Sequence, residues 1–259
     1  MARHFAESIL CAGNQSIAVL ILRLLRGARR DFKIMHPLDN LIWTALGTRQ
    51  VEFVEGSGHA RRFPPAVTAL GALSRYAPEG YEALAHLQRD GETTALFLDA
   101  PADPPSGWKV MRSAPLMQLV LGDNPVPYEA LETVALGAAD APEMVALAEL
   151  TKPGPFGMRT HELGSYLGVR RDGRLAAMAG ERLRVPGYTE ISAVCTHPEH
   201  TGKGHARALM GILIEQIRGR GERPFLHVRT ENTRALELYK RMGFSERVVL
   251  HLIVVRKPS

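Results

Sequence analysis

The sequence predicts an α/β (α+β) fold, a β-sheet flanked by helices, on three observations. Strand-like and helix-like runs alternate through the second half of the chain. An Asp-Gly pair sits between two apolar runs, and a glycine-punctuated loop joins a strand to a long amphipathic helix.

In the first half, residues 50–54, 94–98 and 117–121 read as strands and residues 78–90 as a helix. Residues 132–136 form a further strand, and residues 141–150 a helix with Pro142 in its first turn, where a missing N–H costs nothing. Two apolar runs, 166–170 and 175–180, flank Arg171-Asp172-Gly173-Arg174. Asp-Gly there signals a hairpin, because both central residues of a type I′ turn need positive φ. Residues 188–196 alternate as a strand, with Ile191, Ala193 and Cys195 on one face and Glu190, Ser192 and Thr196 on the other. Ala206, Leu209, Met210, Leu213 and Ile217 make a helical stripe that stops at Gly219-Arg220-Gly221. Residues 224–229 follow as a strand. Asn232 is placed to cap a helix carrying Ala235, Leu238, Tyr239 and Met242, which Gly243 ends. Residues 244–249 and 250–255 supply two closing strands.

The loop between the strand at 188–196 and the long helix, Thr196-His197-Pro198-Glu199-His200-Thr201-Gly202-Lys203-Gly204-His205-Ala206, is the most telling segment. The first N–H groups of a helix have no intrahelical partners and the helix dipole favours an anion, so a small-residue loop there can cradle phosphate. The spacing is neither a Walker loop nor GxGxxG. On the loop alone, a tight exposed turn explains it equally well.

The element order and two motifs resemble the GNAT acetyltransferase superfamily over residues 131–255, in particular the C-terminal half of glycine N-acyltransferase-like proteins. Thr201-Gly202-Lys203-Gly204-His205-Ala206 matches the family's pyrophosphate loop [RQ]-x-x-G-x-[GA] except at Thr201. Asn232, Ala235, Tyr239, Gly243 and Phe244 complete Asn-x-x-Ala-x-x-x-Tyr-x-x-x-Gly-Phe. The resemblance implies a mixed central sheet, acetyl-CoA as acyl donor, and direct attack of an amine on the thioester. It implies that the main chain of Val194, Cys195 and Thr196 pairs with the pantetheine arm, that an N–H near Val194 or Cys195 polarises the thioester carbonyl, and that Thr201, Gly202, Lys203, Gly204, His205 and Ala206 hold the pyrophosphate, with Asn232 also on the cofactor side. Thr201 stands where Arg or Gln usually orders the loop, which bears on affinity.

Glu190 is the expected general base, because amines are mostly protonated at neutral pH; pairing with Arg182 or Arg184 is the competing reading. Tyr239 is the expected general acid toward the thiolate, against an ordinary role as buried core. Phe156 and Arg159, in Lys152-Pro153-Gly154-Pro155-Phe156-Gly157-Met158-Arg159-Thr160, are candidates for an apolar body and a carboxylate on the acceptor. Cys195 reads as a small buried hydrophobe, not a nucleophile. His197, His200 and His205 follow neither HExxH nor a Cys/His ligand pattern, so no metal is expected.

At 259 residues, the chain is expected to hold a basic extension (1–34), a smaller diverged α/β domain (35–125) that resembles a degenerate partner domain, and the acetyltransferase domain (126–259), divided at Gly122-Asp123-Asn124-Pro125-Val126-Pro127. The extension holds Arg3, Arg23, Arg26, Arg29, Arg30 and Lys33 against Glu7 and Asp31, most of the chain's net charge of +5. Its apolar run, residues 16–22, is too short to span a bilayer. It reads as the product of an upstream start codon ahead of Met35; a membrane-surface helix or an Arg-rich targeting peptide are the alternatives. The body beyond it is nearly neutral, which argues against a nucleic-acid partner. Cys11 and Cys195 give no disulfide framework and fit a reducing cytoplasm. The expected partners are acetyl-CoA and a small-molecule amine, with no membrane; a homodimer is compatible. A protein N-terminal acetyltransferase and a non-catalytic acyl-CoA sensor are the alternatives.

Overall fold

The computed structural model describes residues 36–124, 127–129 and 131–258. Expectations for residues 1–34 lie outside them. The described body begins with helix α1 (Leu41–Gly47), strands β1 (Ala60–Arg62) and β2 (Gly71–Leu73), helix α2 (Pro78–Leu87), and strands β3 (Thr94–Leu98) and β4 (Lys109–Leu121). It continues through β5 (Val134–Leu136), α3 (Ala141–Thr151), β6 (Tyr166–Arg171), β7 (Arg174–Val185), β8 (Tyr188–Thr196), α4 (His205–Gly219), β9 (Arg223–Arg229), α5 (Thr233–Arg241) and β10 (Phe244–Arg256). β1 and β2 pair as a small antiparallel sheet. The other eight strands form one sheet in the order β3-β10-β4-β9-β8-β7-β6-β5. All its pairings are antiparallel except β8 with β9.

Local chemistry explains most of these elements. Asp172 (φ 50°) and Gly173 (φ 78°) both take left-handed backbone at the β6–β7 turn, as a type I′ hairpin requires. Asn232 Oδ1 accepts the Ala235 N–H at 3.1 Å and starts α5. Gly204, with φ 78°, precedes α4. The apolar stripe of α4, including Leu209, Leu213 and Ile217, is buried against Leu167, Val169, Ile191 and Leu226 of the sheet. Each such side chain contributes roughly 1.5–3 kcal/mol by burial. On the opposite side, α3 packs Met144, Leu147 and Ala148 against Tyr166, Met178, Ala193 and Cys195.

Four expectations need correction. Residues 50–54 are not a strand: Val51–Phe53 is a single 3₁₀ turn, and the buried Gln50 amide bonds the main chain of β7 instead, donating to Arg182 O at 2.8 Å and accepting from Arg184 N at 3.1 Å. The two closing strands are one, β10, which carries an extra residue at Arg247, between Glu246 (opposite Leu119) and Val248 (opposite Gln118). The alternation in β8 breaks at Ala193, whose φ is 51°. Two residues of β7, from Met178 to Gly180, span three of β8, from Cys195 to Ser192. Ile191 therefore faces α4 while Ala193 and Cys195 face α3, not the Ile191 side.

The fourth concerns the division at 125/126. Residues from Pro37 onward form one compact unit. β3 and β4, from the expected smaller domain, flank β10 on both sides, and β4 also pairs with β9. Strands from both sides of 125/126 therefore belong to one sheet.

Candidate active site

The site is created where β8 and β9 stop pairing. The two run parallel only from Tyr188–Glu190 against Arg223–Phe225 and then part. From Ile191 to Thr196 the β8 edge facing β9 has no ladder partner, a row of main-chain donors and acceptors open to an extended amide chain. The bulge at Ala193 lies in this open stretch. A cleft of about 1220 Å³ fills the gap, lined by β8, the loop 200–206, the end of β9 and α5.

Every cofactor-side residue expected from sequence lines it: Val194, Cys195, Thr196, Thr201, Gly202, Lys203, Gly204, His205, Ala206 and Asn232. Gly202 (φ 79°) and Gly204 (φ 78°) need left-handed backbone, and a Cβ added at either would project into open space. The loop thus keeps clear the volume that a pyrophosphate needs at the start of a four-turn helix. Thr201 Oγ1 donates to Pro198 O at 3.0 Å and tightens the turn. Lys203, Arg207, Arg234 and Arg241 line the same end. The residues present fit a polyphosphate-bearing donor. His205 is 4% exposed with neither ring nitrogen hydrogen-bonded; burial first, then Arg171, His200 and Lys203, lower its pKa.

At the apex, where β8 and β9 separate, lies a buried polar cluster. Glu190 is fully buried and forms a two-pronged pair with Arg182, whose Nη2 and Nε donate to its two oxygens at 2.6 and 2.9 Å. His227 Nδ1 lies 2.7 Å from Glu190 Oε1. Burial alone would push the Glu190 carboxyl up, but the Arg182 guanidinium and its hydrogen bonds, with His227, outweigh it and hold the pKa down to about 2. Glu190 does not line the cleft, whereas Arg182 and His227 do. Glu190, the expected general base, is thus set back from the cleft, with both oxygens bonded by Arg182 and one of them also facing His227; the pairing with Arg182 is the competing reading of the sequence. Sequence reading missed His227. Its signal was a lone His in the apolar run Phe225-Leu226-His227-Val228, opposite Gln118 in the ladder.

Tyr239 lines the cleft from α5, 9% exposed, and packs edge-on to Phe244 at 6.3 Å. Burial, with Cys195 adding, pushes its phenol up to about 12, so it stays protonated and able to donate at neutral pH. Burial likewise pushes the Cys195 thiol up to about 11, which suits an inert thiol. Phe156 lines the cleft and meets Tyr166 edge-on at 5.7 Å. Arg159 does not: it is half exposed and its guanidinium is committed to Glu162 at 2.7 and 2.8 Å. Leu70, Phe97, Leu116, Leu252 and Val254, with Arg112, also line the cleft.

Known proteins match this arrangement. The FR47-like protein family matches residues 166–252. The N-alpha-acetyltransferase RimI of Mycobacterium tuberculosis is 34% identical over 127 residues, 44% of this chain and 79% of that protein. A crystal structure of a GNAT-family acetyltransferase from Novosphingobium aromaticivorans is 42% identical and superposes with a TM-score of 0.80, covering 87% of this chain and all of that one. A GCN5-related N-acetyltransferase from Kribbella flavida, at 18% identity and a TM-score of 0.55, shares the fold. GNAT enzymes take their acyl group from acetyl-CoA and pass it to an acceptor. The chain is an acetyltransferase and belongs to the GNAT family.

Proposed function

We propose that this enzyme acetylates the amine of a small molecule or amino acid by direct attack on the thioester of acetyl-CoA. The observation that carries this reading is the convergence of three features on one cleft: the glycine loop, the unpaired β8 edge with its bulge, and the His227–Glu190 pair. The loop amides and the basic side chains around them hold the phosphates. The open β8 edge orients the acyl arm, and a main-chain N–H near Val194 or Cys195 polarises the thioester carbonyl. His227, which lines the cleft and is paired with Glu190, takes up the proton released as the C–N bond forms. Glu190 acts through His227, as a positioning residue. Tyr239 protonates the sulfur as the C–S bond breaks. The apolar wall of Leu70, Phe97, Leu116, Leu252 and Val254 favours an acceptor with an apolar body beside its amine. Phe156 contributes to that wall; Arg159 is not assigned a part. The low-charge body and the unpaired Cys195 suit a cytoplasmic enzyme.

A second reading, acetylation of a protein N-terminus, is favoured by the likeness to the relative named N-alpha-acetyltransferase. Titration calorimetry with acetyl-CoA, followed by a screen of amines, amino acids and peptides for thiol release, separates the readings. Micromolar binding that disappears in Gly204→Glu is expected, since the new carboxylate fills the phosphate volume. Unchanged affinity in that variant would refute the loop assignment. Turnover confined to peptides would move the acceptor to the second reading.

A further inference from the structure

We infer that Gln118, on β4 in the first half of the chain, is a positioning residue that sets the tautomer of His227. Gln118 and His227 face each other across the β4–β9 ladder, with Gln118 Nε2 3.0 Å from His227 Nε2. Which end of the amide meets the ring is fixed by its other contacts. Arg247, which can only donate, gives Nη1–H to Gln118 Oε1 at 2.8 Å, and Gln118 Nε2 lies 3.4 Å from Leu38 O, which can only accept. The amide therefore presents N–H to His227. Nε2 of the ring must accept, and the ring proton sits on Nδ1, donated to Glu190.

Gln118 is fully buried, and the His227 side chain is 2% exposed. No water is needed to explain the pattern. Arg247 is the extra residue of the β10 bulge and is held in turn by Asp39, so the orientation is imposed by a chain of side chains: Asp39, Arg247, Gln118, His227, Glu190 and Arg182. The charged groups around the ring are Glu190 on β8, Arg182 on β7 and Arg247 on β10; Phe97, tilted at 5.0 Å, and Phe225, perpendicular at 5.8 Å, pack against it. The consequence is a ring whose lone pair is held on Nε2, the nitrogen that faces Gln118.

This rests on His227 as proton acceptor, and the experiment separates the two ideas. ¹⁵N NMR of the imidazole nitrogens in the full chain reads the tautomer without any turnover. The Nδ1–H form is expected in the unaltered protein. Gln118→Glu turns the donor into an acceptor, so His227 should gain a second proton. kcat at neutral pH should then fall on the order of 10²-fold, with the acid limb of its pH profile moved upward and the KM for acetyl-CoA unchanged. Gln118→Met removes the donor at similar volume and should give mixed tautomers, and Arg247→Met, which frees the amide to turn over, a smaller change in the same direction. An Nδ1–H ring in all three variants, or an unmoved pH profile, overturns the inference. Full activity in His227→Ala, with the tautomer changes still present, would sink only the proton-acceptor role.

Discussion

Glu190 and Arg182 are a buried ion pair whose attraction and hydrogen bonds offset the cost of taking both charges out of water. Removing one partner leaves the other charged and unpaired. Glu190→Gln should destabilise the protein by about 3–5 kcal/mol in denaturant unfolding, in addition to lowering kcat, and a stability within error of the unaltered protein would show that Arg182 finds another partner. The pH dependence has a definite sign. A carboxyl held near 2 in the folded state and at about 4.3 when unfolded stabilises the protein fully above that unfolded value. The contribution is lost as pH falls from about 4.3 toward 2. The unfolding midpoint should therefore drop across that window, and the drop should be smaller in Glu190→Gln.

Among the elements, β8 shows how one residue redirects a strand. Ala193 takes a conformation that L-residues seldom adopt, and the extra residue it introduces turns Ala193 and Cys195 toward α3. The neighbouring strand is built around this. Gly180 on β7 pairs with Ser192, and a Cβ there would come within 2.3 Å of the Tyr166 ring, which is buried against Gly180. Gly180→Ala should cost roughly 1–3 kcal/mol, because the ring has no room to shift. It should also weaken acetyl-CoA binding if the displacement reaches the bulge. Thermal unfolding tests the first effect and calorimetry the second; an unchanged Tm would mean that Tyr166 can repack.

On the scale of the whole molecule, the first half of the chain completes the sheet of the second. β10 is paired along its length by β4 and over its C-terminal part by β3, and among the described residues it has no other strand neighbour. Residues 126–259 produced alone would leave β10 without either, exposing Ile253 and Val255, now buried, along two unpaired strand edges. That fragment should fail to unfold cooperatively and should aggregate, and co-production with residues 35–125 should restore a soluble complex. A stable, acetyl-CoA-binding fragment would reinstate the boundary at 125/126. The dependence has a functional side, since Phe97 and Leu116 line the cleft and Gln118 meets His227 from this half.

By itself the sequence determined the local and contiguous features. The hairpin at Asp172-Gly173, the cap at Asn232, the stripe of α4 and the glycine loop are each written in residues a few positions apart. Their geometry follows from backbone sterics and helix-end chemistry, which need no distant partner. The same holds for the loop residues 201–206 that line the cleft. The tertiary structure alone decided what depends on residues far apart in the chain. It set β4 between β9 and β10, joined residues 37–124 to the rest as one unit, and brought Gln118 and Arg247 to His227. It also decided that Glu190 belongs to Arg182 and that Arg159 belongs to Glu162. Side-chain periodicity has no term for a bulge and none for a strand inserted from another part of the chain. The register at Ala193 and the partners of a buried charge are fixed only when the whole sheet is assembled.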